Sequence, residues 1–166
     1  MRVRDVMIQD VYVAHKDDLV HDVLRKFSNL RISGMPIVDH GYRVVGYISD
    51  GDIMRFLGKH TNNVILSYST ICTYYYAESL DAQIDQVDQF KQNAFSLFEK
   101  NVMQLATKKV ITVKEDDDLV DVAELLSRRK IKKVPVVKDG VLVGIVSRGD
   151  VVRAVVQAYL SSGAVS

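Results

Sequence analysis

A string of residues in the first half of the chain returns in the second half, and no other feature restricts the possible folds so tightly. Asp17-Asp18-Leu19-Val20 recurs as Asp117-Asp118-Leu119-Val120, and Met35-Pro36-Ile37-Val38 recurs as Val134-Pro135-Val136-Val137. Gly46-Tyr47-Ile48-Ser49-Asp50-Gly51-Asp52-Ile53 recurs as Gly144-Ile145-Val146-Ser147-Arg148-Gly149-Asp150-Val151. The spacing between copies drifts by one residue twice, which implies single-residue gaps near His21 and in the turn after Pro36. The chain has 2 prolines, one at the same place in each copy. Such self-similarity means one supersecondary unit used twice, each copy burying its apolar face on the other.

Each copy spells the same order of elements. A short β-prone run opens it, Val11-Tyr12-Val13 in one and Val110-Ile111-Thr112-Val113 in the other. Acidic residues follow, suited to capping a helix and facing its dipole. The helix itself shows apolar residues at helical spacing, Val20, Val23, Leu24 and Phe27 in the first copy and Leu119, Val122, Ala123, Leu125 and Leu126 in the second. It must stop before the proline. Two apolar runs split by a turn come next. Asp139-Gly140 suits a type I′ hairpin turn, which needs positive φ at both central residues. The first copy uses His40-Gly41 with one extra residue. A last helix begins after Ser49 and after Ser147. The fold class is therefore α/β (α+β), two β-α-β-β-α units of roughly 55 residues, each too small to bury a good core alone.

The expected boundaries are 1–59 for the first repeat, 60–100 for an insert, 101–160 for the second repeat and 161–166 for a tail. The insert has no counterpart. Its stretch 64–76 is β-prone and contains Tyr74-Tyr75-Tyr76, a patch suited to a partner or to packing within the insert. The stretch 79–100 reads as an amphipathic helix with Leu80, Ile84, Val87, Phe90, Ala94, Leu97 and Phe98 on its apolar side.

The motif that carries chemistry is Gly-h-h-Ser-x-x-Asp, where h is apolar, present once per copy at a strand end that opens a helix. Ser49 and Asp52 form one pair, Ser147 and Asp150 the other. A helix start offers free N–H groups and a positive dipole end to a phosphate. The serine hydroxyl adds a donor, and an aspartate three residues on can accept hydrogen bonds from two vicinal ribose hydroxyls, as acidic residues do in dinucleotide folds. Arg148 lies inside the second motif, placed to pair with phosphate oxygens, where the first has Asp50. The same Ser-x-x-Asp spacing is also close to a capping box, which needs no ligand.

Order and spacing together resemble the CBS domain, which occurs in tandem pairs called Bateman modules. The resemblance rests on Val6-Met7 and Val102-Met103 at the repeat starts, on the strings 32–36 and 131–135 ending in proline, and on both Gly-h-h-Ser-x-x-Asp motifs. It implies two units packed through their sheets with pseudo-twofold symmetry, and two clefts that take AMP, ADP, ATP or S-adenosylmethionine. By that likeness Asp52 and Asp150 hold ribose, and Ser49, Ser147 and Arg148 approach phosphate. Adenine lies near Ile32, Met35 and Pro36 in one site and near Thr112, Ile131, Val134 and Pro135 in the other. The family often carries glycine where this chain has Arg31 and Lys130, and Tyr12 stands where the second copy has Thr112. With Asp50 also unfavourable to phosphate, the Asp150 site is expected to be the better one.

What remains is exclusion. A net charge of +1, from 22 basic and 21 acidic side chains, gives no whole-chain attraction for nucleic acid or membrane. The cluster Arg128-Arg129-Lys130 with Lys132 and Lys133 is the solvated end of a helix or a local attractant for phosphate. One cysteine, Cys72, rules out an internal disulfide and a multi-cysteine metal cage. Four scattered histidines show no ligand spacing, and Glu115-Asp116-Asp117-Asp118 reads as a helix-capping turn, with magnesium arriving only alongside ATP. No signal peptide or membrane span is expected, so the cytoplasm is the default location. With no nucleophile-base pair, the chain is expected not to be an enzyme. The expectation is a sensor of an adenine nucleotide, a homodimer acting in trans on an effector protein; the alternative is a scaffold acting through the insert.

Overall fold

The computed structural model describes residues 1–61 and 95–162. The described chain repeats one order of elements. The first copy runs β1 (Ala14–His15), α1 (Val20–Leu30), β2 (Gly34–Val38), β3 (Val44–Ser49) and α2 (Asp50–Thr61). The second runs β4 (Val113–Lys114), α3 (Leu119–Arg128), β5 (Lys133–Lys138), β6 (Val141–Ser147) and α4 (Arg148–Ser161). Each copy contributes a three-stranded sheet, ordered β1-β2-β3 and β4-β5-β6. The mixed α+β class read from the sequence is the class observed. The insert helix and the tyrosine triplet lie outside the described residues, apart from 95–98, which are helical with Leu97 buried.

The opening strands are shorter and later than the β-prone runs. β1 pairs in parallel with β2 through Ala14↔Ile37 and His15↔Val38, and β4 with β5 through Val113↔Val136 and Lys114↔Val137. Pairing starts one residue past Pro36 and Pro135. A proline has no N–H to donate, so the ladder cannot extend past it toward Val11-Tyr12-Val13 or Val110-Ile111-Thr112.

The two copies align differently from the sequence match. The helix N-caps are Leu19 and Asp118, and the short 3-10 turns before the strands are Val3–Asp5 and Val102–Gln104. Val3 and Val102 are therefore equivalent, not Val6 and Val102. No gap near His21 is needed. The repeated acidic pair slides by one residue: Asp118 Oδ1 accepts from the Val120 N–H at 3.0 Å, whereas Leu19 gives no side-chain cap and Asp18 pairs with Lys26 Nζ at 3.2 Å. The one real length difference is the hairpin turn.

In the second copy that turn is Asp139-Gly140, with φ of 52° and 81°, as its sequence requires. In the first, the left-handed residue is Tyr42 at φ 61°, not His40 or Gly41. Asp39 closes that loop, its Oδ1 accepting from the Gly41 and Arg43 N–H groups at 2.9 Å each.

Compact packing units cut across the repeats. One unit comprises Met1–Lys16, Met35–Tyr47 and the chain from Lys108; the other comprises Asp17–Gly34 and the described residues of Ile48–Thr107. In the first unit the chain start embraces the beginning of α3. The Val3 and Arg4 N–H groups donate to the Asp117 and Glu115 carbonyls, and the Leu119 N–H donates to the Met1 carbonyl. Val3 sits in one cluster with Val113, Val122, Leu126, Val134, Val136 and Val146. Arg4 pairs with Asp116 at 2.6 Å, so a basic chain start meets the acidic turn before α3. Ile8 and Ile145 exchange backbone hydrogen bonds, and a Cβ on Gly144 would stand 3.1 Å from the Ile8 carbonyl oxygen, a close backbone approach that favours glycine there.

The second unit uses the same device. The Val20 N–H donates to the Lys100 carbonyl and the Val102 N–H to the Asp18 carbonyl, with Leu97 and Val102 buried. Each repeat's opening segment thus packs on the other repeat's first helix.

Candidate functional site

Both Ser-x-x-Asp motifs fall where a strand hands over to a helix, β3 to α2 and β6 to α4. The handover is tied down from below. The Asp50 N–H donates to the Ser33 carbonyl at 2.9 Å, and the Arg148 N–H donates to the Lys132 carbonyl at 3.0 Å. β5 and β6 pair Lys133 with Ser147, Val134 with Val146 and Pro135 with Ile145. The pre-proline string therefore lies alongside the motif. Ile131, Ser147, Arg148 and Asp150 are brought together in one unit. Thr112 and Pro135 immediately precede the first paired residues of β4 and β5. In the first copy Ile32, Ser49 and Asp52 share a unit, whereas Met35 and Pro36 belong to the other one.

Each aspartate is 5% exposed, and these are the buried charged groups among the described residues. Burial of a carboxylate demands partners, and both have the same set. Asp52 Oδ2 accepts from the Ser49 N–H at 2.9 Å and from Ser49 Oγ at 2.8 Å. Asp150 Oδ2 accepts from the Ser147 N–H at 2.7 Å and from Ser147 Oγ at 2.6 Å. The Asp150 N–H in turn donates to Ser147 Oγ at 3.2 Å, which completes a capping box. The second oxygen of each carboxylate faces an arginine one turn on. Arg55 Nη1 lies 3.0 Å from Asp52 Oδ1, and Arg153 Nη2 pairs with Asp150 Oδ1.

Those arginines are what reading the motif as Ser-x-x-Asp misses. The signal was present: Asp52-Ile53-Met54-Arg55 repeats as Asp150-Val151-Val152-Arg153. A three-residue step puts the arginine on the aspartate's side of the helix.

Three expected ligand contacts are placed otherwise. Arg148, expected to reach a phosphate, spends its guanidinium on two main-chain carbonyls, Nε on Ile131 and Nη2 on Leu126, each at 2.9 Å. The second carbonyl belongs to the last turns of α3, where a cation satisfies an unpaired C=O. Val134 and Met35, expected beside adenine, are 0% exposed, and the Val134 side chain belongs to the core cluster. Both strands bury these side chains together with the neighbouring Pro36 and Pro135. Asp50, in the place of Arg148, accepts from the Gly51 N–H at 2.8 Å.

The basic cluster after α3 is partly spoken for, since Arg128 pairs with Glu124 at 3.1 Å. Among the described residues no group of three or more His, Cys, Asp or Glu side chains is placed to hold a metal ion, and no helix is long and apolar enough to cross a membrane.

Comparison with known proteins fits this geometry. The sequence profile of the CBS domain matches residues 3–59 and 102–157. An uncharacterised protein of Methanocaldococcus jannaschii is 31% identical over 157 residues, 94% of this chain and 92% of that protein. The CBS domain-containing protein CBSX1, chloroplastic, of Arabidopsis thaliana is 31% identical over 156 residues, covering 90% of this chain but 61% of the plant protein. A crystal structure of CBSX2, also from Arabidopsis thaliana and solved in complex with AMP, superposes with a TM-score of 0.68 at 26% identity, covering 95% of this chain and 98% of that one. With two repeats, two matched segments and relatives that share both, this chain belongs to the CBS domain family as a tandem CBS pair.

Proposed function

We propose that this chain is a regulatory module that binds an adenine nucleotide, AMP, ADP or ATP, at its Ser-x-x-Asp helix starts and signals its occupancy to a partner protein in trans. The observation that carries the reading is the relative solved with AMP, which matches this chain across both repeats. The local chemistry supports it. Asp150 and Asp52 present buried, rigidly held carboxylates to a ribose diol, with Ser147 and Ser49 beside them. Thr112, Ile131 and Pro135 line the adenine side of the second site, with the Val134 backbone, and Ile32 that of the first. Magnesium enters only with ATP, carried by its phosphates.

A homodimer fits the same reading. Val152, Val155, Val156, Tyr159 and Leu160 on α4 are all exposed, at the spacing of a single helical stripe. A second copy offers the same stripe about a twofold axis.

One observation favours the scaffold alternative. The Ser147 hydroxyl both donates to Asp150 and accepts from its N–H, so the cap is complete without a ligand. Calorimetric titration with AMP, ADP and ATP separates the two, using the intact chain and its Asp150→Asn and Asp52→Asn variants. The nucleotide reading expects binding that Asp150→Asn weakens at least tenfold and Asp52→Asn weakens less. Binding that only Asp52→Asn removes reverses the order of the sites. No heat with any nucleotide leaves the scaffold.

A further inference from the structure

The geometry points to Arg153, with Arg55 at the equivalent place, as the residue that selects phosphorylated nucleosides over bare nucleosides, by exchanging its ion pair with the aspartate for one with the ligand's phosphate. The inference rests on the nucleotide reading above and assigns its selectivity to a side chain outside the Ser-x-x-Asp motif.

The argument starts from the two oxygens of Asp150. Oδ2 is bound by a backbone N–H and a hydroxyl at the start of the helix, so releasing it means undoing the cap. Among the described residues Oδ1 is bound by the Arg153 guanidinium, through a side chain that is 66% exposed while the aspartate's is 5% exposed. With both acceptor sites of Oδ2 taken by the cap, an arriving diol competes with Arg153 for Oδ1, and side-chain rotation is enough to let the arginine go. The displaced guanidinium keeps its charge at any physiological pH and its fork of donors suits an oxyanion.

Its position suits the exchange. Arg153 Nη1 lies 3.5 Å from where a Cβ on Gly149 would stand, so the guanidinium reaches back over the turn inside the motif. A bare nucleoside takes the aspartate and returns nothing to the arginine. A nucleotide takes the aspartate and supplies a phosphate in exchange, a bidentate match for the guanidinium. Arg148, the cation inside the motif, is a poorer candidate. Freeing it would orphan the Ile131 and Leu126 carbonyls it now satisfies. Arg55 repeats the arrangement at 3.0 Å from Asp52 Oδ1, with a side chain 61% exposed.

The test is a calorimetric titration with AMP and with adenosine, on the intact chain and on Arg153→Met, Arg153→Lys and Arg148→Met. The expected result is that Arg153→Met weakens AMP at least tenfold while adenosine binds as before or more tightly, because Asp150 no longer has a competitor. The preference for AMP over adenosine collapses, Arg153→Lys retains part of it, and Arg148→Met retains most of it. An unchanged AMP preference in Arg153→Met overturns the inference and leaves the nucleotide reading standing. So does a parallel loss of both ligands, which marks a merely structural role. Failure of the intact chain to bind AMP removes the nucleotide reading itself, and the inference with it.

Discussion

Arg31 and Lys130 end the first helix of each copy in the left-handed conformation, with φ of 52° and 54°. A side chain there strains the backbone by about 1–2 kcal/mol, a penalty glycine escapes. Glycine also loses more freedom on folding. The net expectation is that Arg31→Gly or Lys130→Gly stabilises by about 0.5–1 kcal/mol, read from the midpoint of chemical denaturation; a loss of stability in both would contradict it. These positions were visible in the sequence only as departures from a family pattern, because φ is not legible in a lone arginine. The hairpins show the same limit. Asp-Gly announced its turn correctly, whereas nothing marked Tyr42 as the left-handed residue of the other hairpin, since its loop closes through Asp39 instead of through a glycine. Gly140→Ala is expected to destabilise by about 1–2 kcal/mol from φ strain. Its Cβ also meets Arg43 Nη1 at 2.7 Å, but a flexible side-chain end moves cheaply. The Asp39 carboxyl is held below the ordinary aspartate range, chiefly by the hydrogen bond from the Arg43 N–H. A depressed folded pKa gives stability that is present above the unfolded value and lost as pH falls through the folded one. An NMR titration should show Asp39 ionising below a free aspartate; a midpoint at or above the free value refutes the loop geometry.

At the level of elements, the capping box is both a structural device and the proposed ligand site. Ser147→Ala removes the hydroxyl that accepts from the Asp150 N–H and donates to its carboxylate. A lost N-cap of this type costs about 0.5–2 kcal/mol, so thermal unfolding should drop by several degrees. An unchanged midpoint would mean that α4 does not depend on the box. Element order was legible in both repeats, because apolar spacing and two prolines punctuate them. The extent of β1 and β4 was not, because β-prone residues cannot reveal that the neighbouring strand lacks a donor at Pro36 and Pro135. The arginines that face Asp52 and Asp150 were legible in principle, as a repeat that extends three residues past the Ser-x-x-Asp motif.

For the whole molecule, repeat and packing unit are not the same thing. Val3 lies in the core of the second repeat's sheet and helix, and Val102 beside the first helix of the other repeat. Pattern matching could not find this exchange, since it follows from hydrogen bonds between segments far apart in sequence, such as the one from Val3 to Asp117. The exposed stripe on α4 leads to a prediction about assembly. Val155→Glu should convert a dimer to a monomer in sedimentation without lowering the unfolding midpoint of the monomer, as the side chain is 62% exposed; a dimer that survives the charge places the interface elsewhere.

The most direct test of the central claim is a thermal unfolding titration of the intact chain with AMP, ADP and ATP. A ligand that binds only the folded state adds about 2.7 kcal/mol at a hundred times its dissociation constant. For a chain of 166 residues that raises the midpoint by several degrees. The account predicts a saturable rise with at least one adenine nucleotide, reduced in Asp150→Asn. A midpoint indifferent to all three nucleotides would contradict it.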